Sequence, residues 1–257
     1  MPINSIVLIG AGNVATQLGK VFHQKGLNIL QVYSRTQKSA EALAKIVGSQ
    51  AISDLSQLNR NAGLYLISVS DDAIGEIISH LNPLPGILAH TSGSVEMDIL
   101  KKSASKVGVF YPLQTFSKIK AIDFTKIPIC IEATDKETEI ALTGLASKIS
   151  QDVRQINSVQ RANIHLAAVF VNNFTNYMYF LGEDLLKEEG ISFDILLPLI
   201  HETAEKMKHQ KPLEAQTGPA IRNDARIILK HLNILKDDPE KQEIYRLISQ
   251  KISKSGL

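Results

Sequence analysis

Ile6-Val7-Leu8-Ile9-Gly10-Ala11-Gly12-Asn13-Val14-Ala15 is the stretch whose reading decides the fold. A short apolar run leads straight into a G-x-G-x-x-A turn, and an amphipathic segment follows over about 13–25. Strand, glycine turn and helix are the parts of a dinucleotide-binding β-α unit. Gly10 permits the tight turn, Gly12 lets backbone approach a pyrophosphate, and Ala15 lets the helix pack closely on the strand. The helix N-terminus at Asn13 and Val14 offers backbone N–H groups and a positive dipole end to the phosphates. The plainer alternative is a glycine turn in the same kind of sheet that binds no nucleotide.

About twenty residues on, the second strand of such a unit usually ends in Asp or Glu, which accepts bonds from the ribose 2′-OH. This chain reads Ile29-Leu30-Gln31-Val32-Tyr33-Ser34-Arg35-Thr36, with no carboxylate at the tip. An acid there would repel a 2′-phosphate. Ser34, Arg35 and Thr36 instead offer two hydroxyls and a guanidinium able to fork onto one, so the expected cofactor is NADP(H). The competing view makes Arg35 a solvated residue and Thr36 the N-cap of the next helix.

Outward from this unit, strand-like runs recur at 3–9, 28–33, 63–69, 86–91, 107–111 and 127–132, with a short one at 152–156. Helix-like stretches lie at about 13–25, 37–47, 72–81 and 135–149, and 53–58 adds a helical turn. Such alternation predicts an α/β fold, a doubly wound, mostly parallel sheet covered on both faces. Beyond residue 156 the strands stop. Asn157 or Ser158 caps a helix running to Leu181 and on to about Glu189, where Gly190 ends it. Further helices are expected over about 192–208, from Gly218-Pro219 onward, and over about 238–252. The division is therefore a dinucleotide-binding domain over 1–154 and a smaller all-α domain over 155–257.

The 257 residues carry 28 Lys plus Arg against 26 Asp plus Glu, which gives no general attraction to nucleic acid or anionic membrane. Cys130 is the single cysteine, so an internal disulfide framework and a multi-cysteine metal site are excluded. It sits in the strand-like run Ile127-Pro128-Ile129-Cys130-Ile131, where an inert core thiol is expected. No apolar run approaches the roughly 18 residues of a membrane span. The first strand begins too early for a signal peptide, and a cytoplasmic location is the expectation. Neither a metal, a nucleic acid nor a membrane is called for.

Groups that serve nicotinamide chemistry should emerge at the carboxyl ends of strands. Val69-Ser70-Asp71-Asp72 is one such place, with backbone suited to a cofactor ribose, or simply a helix cap at Asp71 or Asp72. His90-Thr91-Ser92-Gly93-Ser94 is a second. Thr91 would meet the cofactor, Ser92 a substrate carbonyl or carboxylate, and His90 has the residue type that titrates near neutrality. The third is the long helix. At 100° per residue, His165, Arg161, Asn172, Asn176, Tyr179 and Glu183 fall within 40° of one line, opposite Phe170, Phe174 and Leu181. A row rich in neutral amides and poor in Lys points to a cleft rather than a solvated face. His165 is the proton-transfer candidate, with Asn172 as its orienting or substrate-binding neighbour. Arg222, near Asp224, is a candidate for an anionic substrate or a structural ion pair.

The glycine turn, the Ser34-Arg35-Thr36 tip, Val69-Ser70-Asp71 and the helical second half resemble the superfamily of pyrroline-5-carboxylate reductase and the β-hydroxyacid dehydrogenases. More closely, the 90–94 motif, Tyr111-Pro112-Leu113-Gln114-Thr115-Phe116, His165 with Asn172 and Asn173, and Thr217-Gly218-Pro219-Ala220-Ile221-Arg222-Asn223-Asp224 resemble a Rossmann-like group. The helical part of that group is a domain of unknown function (number 2520), of the 6-phosphogluconate dehydrogenase C-terminal type. The resemblance implies NADP(H)-dependent oxidation or reduction and a homodimer formed through the helical domain. Two positions depart from it. No lysine lies between Lys148 and Lys187, where β-hydroxyacid dehydrogenases carry Lys-x-x-x-Asn, and Tyr111 stands where a His often precedes Pro-Leu-Gln. The expectation is an oxidoreductase acting on a small, carboxylate-bearing carbonyl or imine. Its rival is a non-catalytic NADP(H) sensor, and a reduced deazaflavin is an alternative hydride donor.

Overall fold

The computed structural model describes residues 2–255. Eight strands form one sheet: β1 (Ser5–Ile9), β2 (Asn28–Tyr33), β3 (Gln50–Ile52), β4 (Leu64–Ile67), β5 (Ile87–His90), β6 (Val107–Pro112), β7 (Ile129–Ala133) and β8 (Val153–Gln155). Their order is β3-β2-β1-β4-β5-β6-β7-β8. The first six follow the doubly wound order, with its switch point between β1 and β4. Helices α1 (Asn13–Gln24), α2 (Gln37–Val47), α3 (Asp71–His80) and α4 (Lys136–Ser147) lie between strands in the chain.

Every strand pair is parallel except β6 with β7. Residues 113–128, which join that pair, contain only the 3-10 turn Phe124–Lys126. Without a crossover helix the chain simply turns back, as an antiparallel pair allows.

Alternation along β1 splits the core into two layers. Ile6 and Leu8 pack with Leu18 and Phe22 of α1, whereas Val7 and Ile9 belong with Ile74, Ile77 and Ile78 of α3. Tertiary burial, rather than propensity, holds α1. Asn13, Val14, Thr16, Gly19 and Val21 are poor helix formers, costing up to about 1 kcal/mol each. Leu18 and Phe22 are fully buried, at roughly 1.5–3 kcal/mol each.

The strands and helices expected over 28–33 and 37–47 match residue for residue, and the other expected elements up to 156 lie within three residues of their ends. The three-residue β3 was not foreseen. Past β8, α5 (Ser158–Ala168) opens with a capping box in which Gln160 N donates to Asn157 Oδ1 (2.9 Å) and Asn157 N to Gln160 Oε1 (3.0 Å). A π-helical segment, Val169–Phe174, joins it to α6 (Thr175–Glu188). Then follow α7 (Leu197–Lys206), α8 (Ala225–Ile234) and α9 (Pro239–Ser253).

One helix start needs correction: residues 218–223 form turns, and α8 begins only at Ala225, where Ile227 N donates to the Asp224 side chain (3.2 Å). Gly218 (φ 111°) and Asn223 (φ 54°) take left-handed backbone, which a right-handed helix cannot include.

The chain divides into two compact units, residues 1–172 and 173–257. The boundary expected from sequence at 154/155 falls before this division, because α5 clusters with the sheet.

Candidate functional site

At the switch point the chain leaves β1 through Gly10, whose φ is 129°. A Cβ on Gly10 would lie 2.2 Å from the Ser68 carbonyl oxygen beyond β4, so only glycine permits this approach. Gly12 differs: a Cβ there would meet nothing within 4 Å. It takes the N-cap position of α1, with no side-chain cap and no acid in the first turn. The helix thus presents its N-terminal N–H groups to open space, which is what a pyrophosphate requires.

That space is a cavity of about 900 Å³. Gly10, Gly12, Asn13, Val14, Ser34, Arg35, Val69, Ser70 and Thr91 all line it, and Ser39 and Arg60 join the polar groups of its wall. Two expected cofactor residues do not. Thr36 stands at the N-cap of α2 without a side-chain cap bond, its N–H donating to Ser34 Oγ at 3.4 Å. Asp71 is the first residue of α3, behind the N-cap Ser70, and its carboxylate accepts the Ser94 hydroxyl. One carboxylate near the adenosine end is Asp54. It accepts the Ser56 N–H (2.8 Å), a bond that holds its pKa below the usual carboxylate value. Glu76 is a second carboxylate of this wall, and the residues present fit a dinucleotide.

The second strand-end loop follows β5. Its Thr91 side chain borders the cavity, while Gly93 packs under His165 of α5. A Cβ on Gly93 would lie 2.6 Å from His165 Nδ1. Tyr111, at the carboxyl end of β6, sets its hydroxyl 3.2 Å from the same nitrogen. The two rings meet edge to face, their centroids 6.1 Å apart. Burial raises the Tyr111 pKa to about 12, so its O–H stays on. Ser92 is buried, and its Oγ accepts the N–H groups of Ser94 (3.1 Å) and Val95 (3.0 Å), which shapes the loop.

His90 does not titrate near neutrality. It is fully buried, its Nδ1 accepts the Ser92 N–H (3.2 Å), and its pKa falls to about 4 through desolvation and the Arg161 charge.

Arg161 explains how α5 reaches this loop. Its side chain, 1% exposed, forms an ion pair with Glu132 of β7 and donates to the Val95 carbonyl and to Ser158 Oγ (3.2 Å). Ser158 in turn donates to Glu132 through its N–H and its hydroxyl. His165 follows Arg161 by four residues on the same face. Asn172 lies within the π segment. The i→i+5 winding there breaks the 100° step that aligned Asn172, Asn176, Tyr179 and Glu183 with His165. Arg222 sits in the 218–223 turns and makes no ion pair among the described residues. Cys130 is buried with its thiol pKa raised, as an inert thiol should be.

Neither the Tyr111–His165 contact nor the Glu132–Arg161 pair is evident from the sequence alone. Tyr111 stands at the end of a recognised strand, the place where site groups emerge, and in the sequence it stands out only as a departure from the His expected there. Glu132 is a lone charge in an apolar strand, which calls for a buried partner.

A doubly wound sheet with an uncapped glycine turn at its switch point defines a Rossmann-type fold. Family models match a Rossmann-like domain over residues 2–114 and a domain of unknown function (DUF2520) over residues 127–252. A solved structure from Bacteroides fragilis, named "putative NADP oxidoreductase", is 45% identical and covers 98% of each chain at a TM-score of 0.93. This chain belongs to the family that joins those two domains. A Thermotoga maritima protein is 23% identical, covering 97% of this chain and all of its own, with a TM-score of 0.78. The imine reductase of Myxococcus stipitatus, solved with NADP⁺, shares the fold at 14% identity, 97% and 91% coverage and a TM-score of 0.61. No curated protein matches this chain. Among the described residues no helix is long and apolar enough to cross a membrane, and no cluster of metal-binding side chains occurs.

His90 has a consequence for stability. Its folded pKa of about 4 lies below the usual 6.5, so the unfolded chain binds the extra proton between these values. Stability should therefore be complete above pH 6.5 and fall as pH drops toward 4, by up to about 3 kcal/mol from this one group. In His90→Asn the Oδ1 atom can still accept the Ser92 N–H, and urea denaturation of that variant should show a flatter dependence across this window. An unchanged slope would remove His90 as the cause.

Proposed function

We propose that this protein is an NADP(H)-dependent oxidoreductase that moves a hydride between nicotinamide and the carbonyl or imine carbon of a small, carboxylate-bearing substrate. The observation that carries the reading is a single continuous loop: Thr91 lines the nucleotide cavity, and two residues later Gly93 lies against the His165 ring. The Bacteroides relative named for NADP oxidoreduction supports it.

In this reading the N–H groups at Gly12, Asn13 and Val14 hold the pyrophosphate, and Ser34 and Arg35 hold the 2′-phosphate. Val69, Ser70 and Thr91 border the ribose and ring beyond. The bound cofactor supplies or accepts the hydride. His165 gives the proton to the substrate heteroatom, or takes it in the reverse direction. Ser92 fixes the loop, and Asn172 contributes hydrogen bonds from the following helical segment. The cytoplasmic location expected from sequence goes with this reading.

A homodimer formed through the helical unit is part of the proposal. Large apolar side chains there are exposed, among them Phe180 (52%), Ile195 (65%), Leu199 (64%) and Leu229 (65%). A self-complementary face on a second copy would cover them. Sedimentation equilibrium should return twice the chain mass at micromolar concentration, and a monomer at that concentration would refute the pairing.

Titration with NADPH and NADH in parallel tests the cofactor. NADPH should bind at least tenfold more tightly, and Arg35→Ala should abolish the preference by weakening NADPH alone. Equal affinities would contradict the role given to Ser34 and Arg35. A panel of carbonyl and imine acids tests turnover. His165→Ala should lose 10²-fold or more in kcat while keeping NADPH affinity. NADPH binding with no turnover across the panel would favour the sensor reading.

A further inference from the structure

The two nitrogens of His165 stand in different surroundings. Nδ1 is closed in: Tyr111 Oη lies 3.2 Å away, and Gly93 covers the same edge so closely that no side chain fits between. Nε2 lies across the ring, away from Tyr111 and from the Nδ1–Cγ–Cβ edge that Gly93 covers. The backbone beneath the ring is fixed, because Arg161 ties the preceding turn of α5 to Glu132 and to the Val95 carbonyl.

We propose that Tyr111 is a positioning residue that, with Gly93, locks the His165 ring so that proton exchange with substrate passes through Nε2 alone. The inference rests on His165 as the proton carrier of the proposed reaction and adds which nitrogen works and what holds it. When His165 is neutral, its Nδ1–H donates to Tyr111 Oη and Nε2 is bare, free to take a proton. When His165 is charged, its Nδ1–H donates to Tyr111 Oη. In the reductive direction the Nε2–H bond breaks and the proton joins the substrate oxygen or nitrogen. The bonding pair stays on Nε2, and the imidazole keeps its Nδ1 proton against Tyr111. Tyr111 retains its own proton throughout, as a phenol whose pKa is pushed up to about 12 does. A ring flip would exchange Nδ1 for a carbon at Tyr111 and forfeit the bond.

Ring-nitrogen NMR on the full chain, wild type and Tyr111→Phe, reads this without any substrate. In the wild type neutral His165 should show one tautomer, protonated at Nδ1, with that proton hydrogen-bonded to Tyr111 and Nε2 bare. In Tyr111→Phe, which deletes one oxygen, the Nδ1 resonance should shift and both tautomers should appear. Identical His165 nitrogen signals in the two proteins overturn the proposal. With the first substrate that the carbonyl and imine panel yields, Tyr111→Phe should lower kcat about tenfold and displace the pH limb set by His165. KM and NADPH affinity should hold. An unmoved limb or unchanged kcat also overturns it. Absence of turnover in the wild type would instead strike the proposed reaction and leave the nitrogen signals to decide the role of Tyr111.

Discussion

Arg161 carries its charge into the protein interior and meets a matching carboxylate there, Glu132 of β7. An unpaired buried guanidinium would cost several kcal/mol, so α5 has one favourable seat: the turn that brings Arg161 to Glu132 and to the Val95 carbonyl. His165 rides four residues further along the same face. Its position over the loop after β5 is thus set by an ion pair that never touches substrate. The loop answers with Gly93, the residue type that leaves room for the ring.

The electrostatics of the first unit separate two tasks. Around the glycine turn the uncapped start of α1 and Arg35 at the tip of β2 face the cavity, whose wall also carries Arg60, Asp54 and Glu76. Around His165 the fold removes competing charge. His90 stays neutral, Tyr111 stays a phenol, Arg161 is paired, and the Asp71 carboxylate accepts the Ser94 hydroxyl.

Much of this was legible in the chain. The G-x-G-x-x-A turn announced the β1–α1 unit because every residue in it has a steric task that few others perform. Asn157 and Gln160 marked the start of α5 through local capping chemistry. Other features have no local signal. β3 is three residues long and inherits its extension from pairing with β2. The antiparallel sense of β7 comes from the absence of a crossover helix, not from anything within Ile129–Ala133. The π segment breaks a periodicity computed on ideal geometry. Tyr111, Glu132 and Arg161 lie on β6, β7 and α5, and only the tertiary fold brings them to one place.

The most direct measurement is a crystal structure of the full chain soaked with NADPH. The account requires the pyrophosphate over Gly12 at the start of α1, the 2′-phosphate on Ser34 and Arg35, and the nicotinamide beside the Thr91–Gly93 loop within reach of the His165 site. A nucleotide bound elsewhere, or a nicotinamide turned away from that loop, would contradict it.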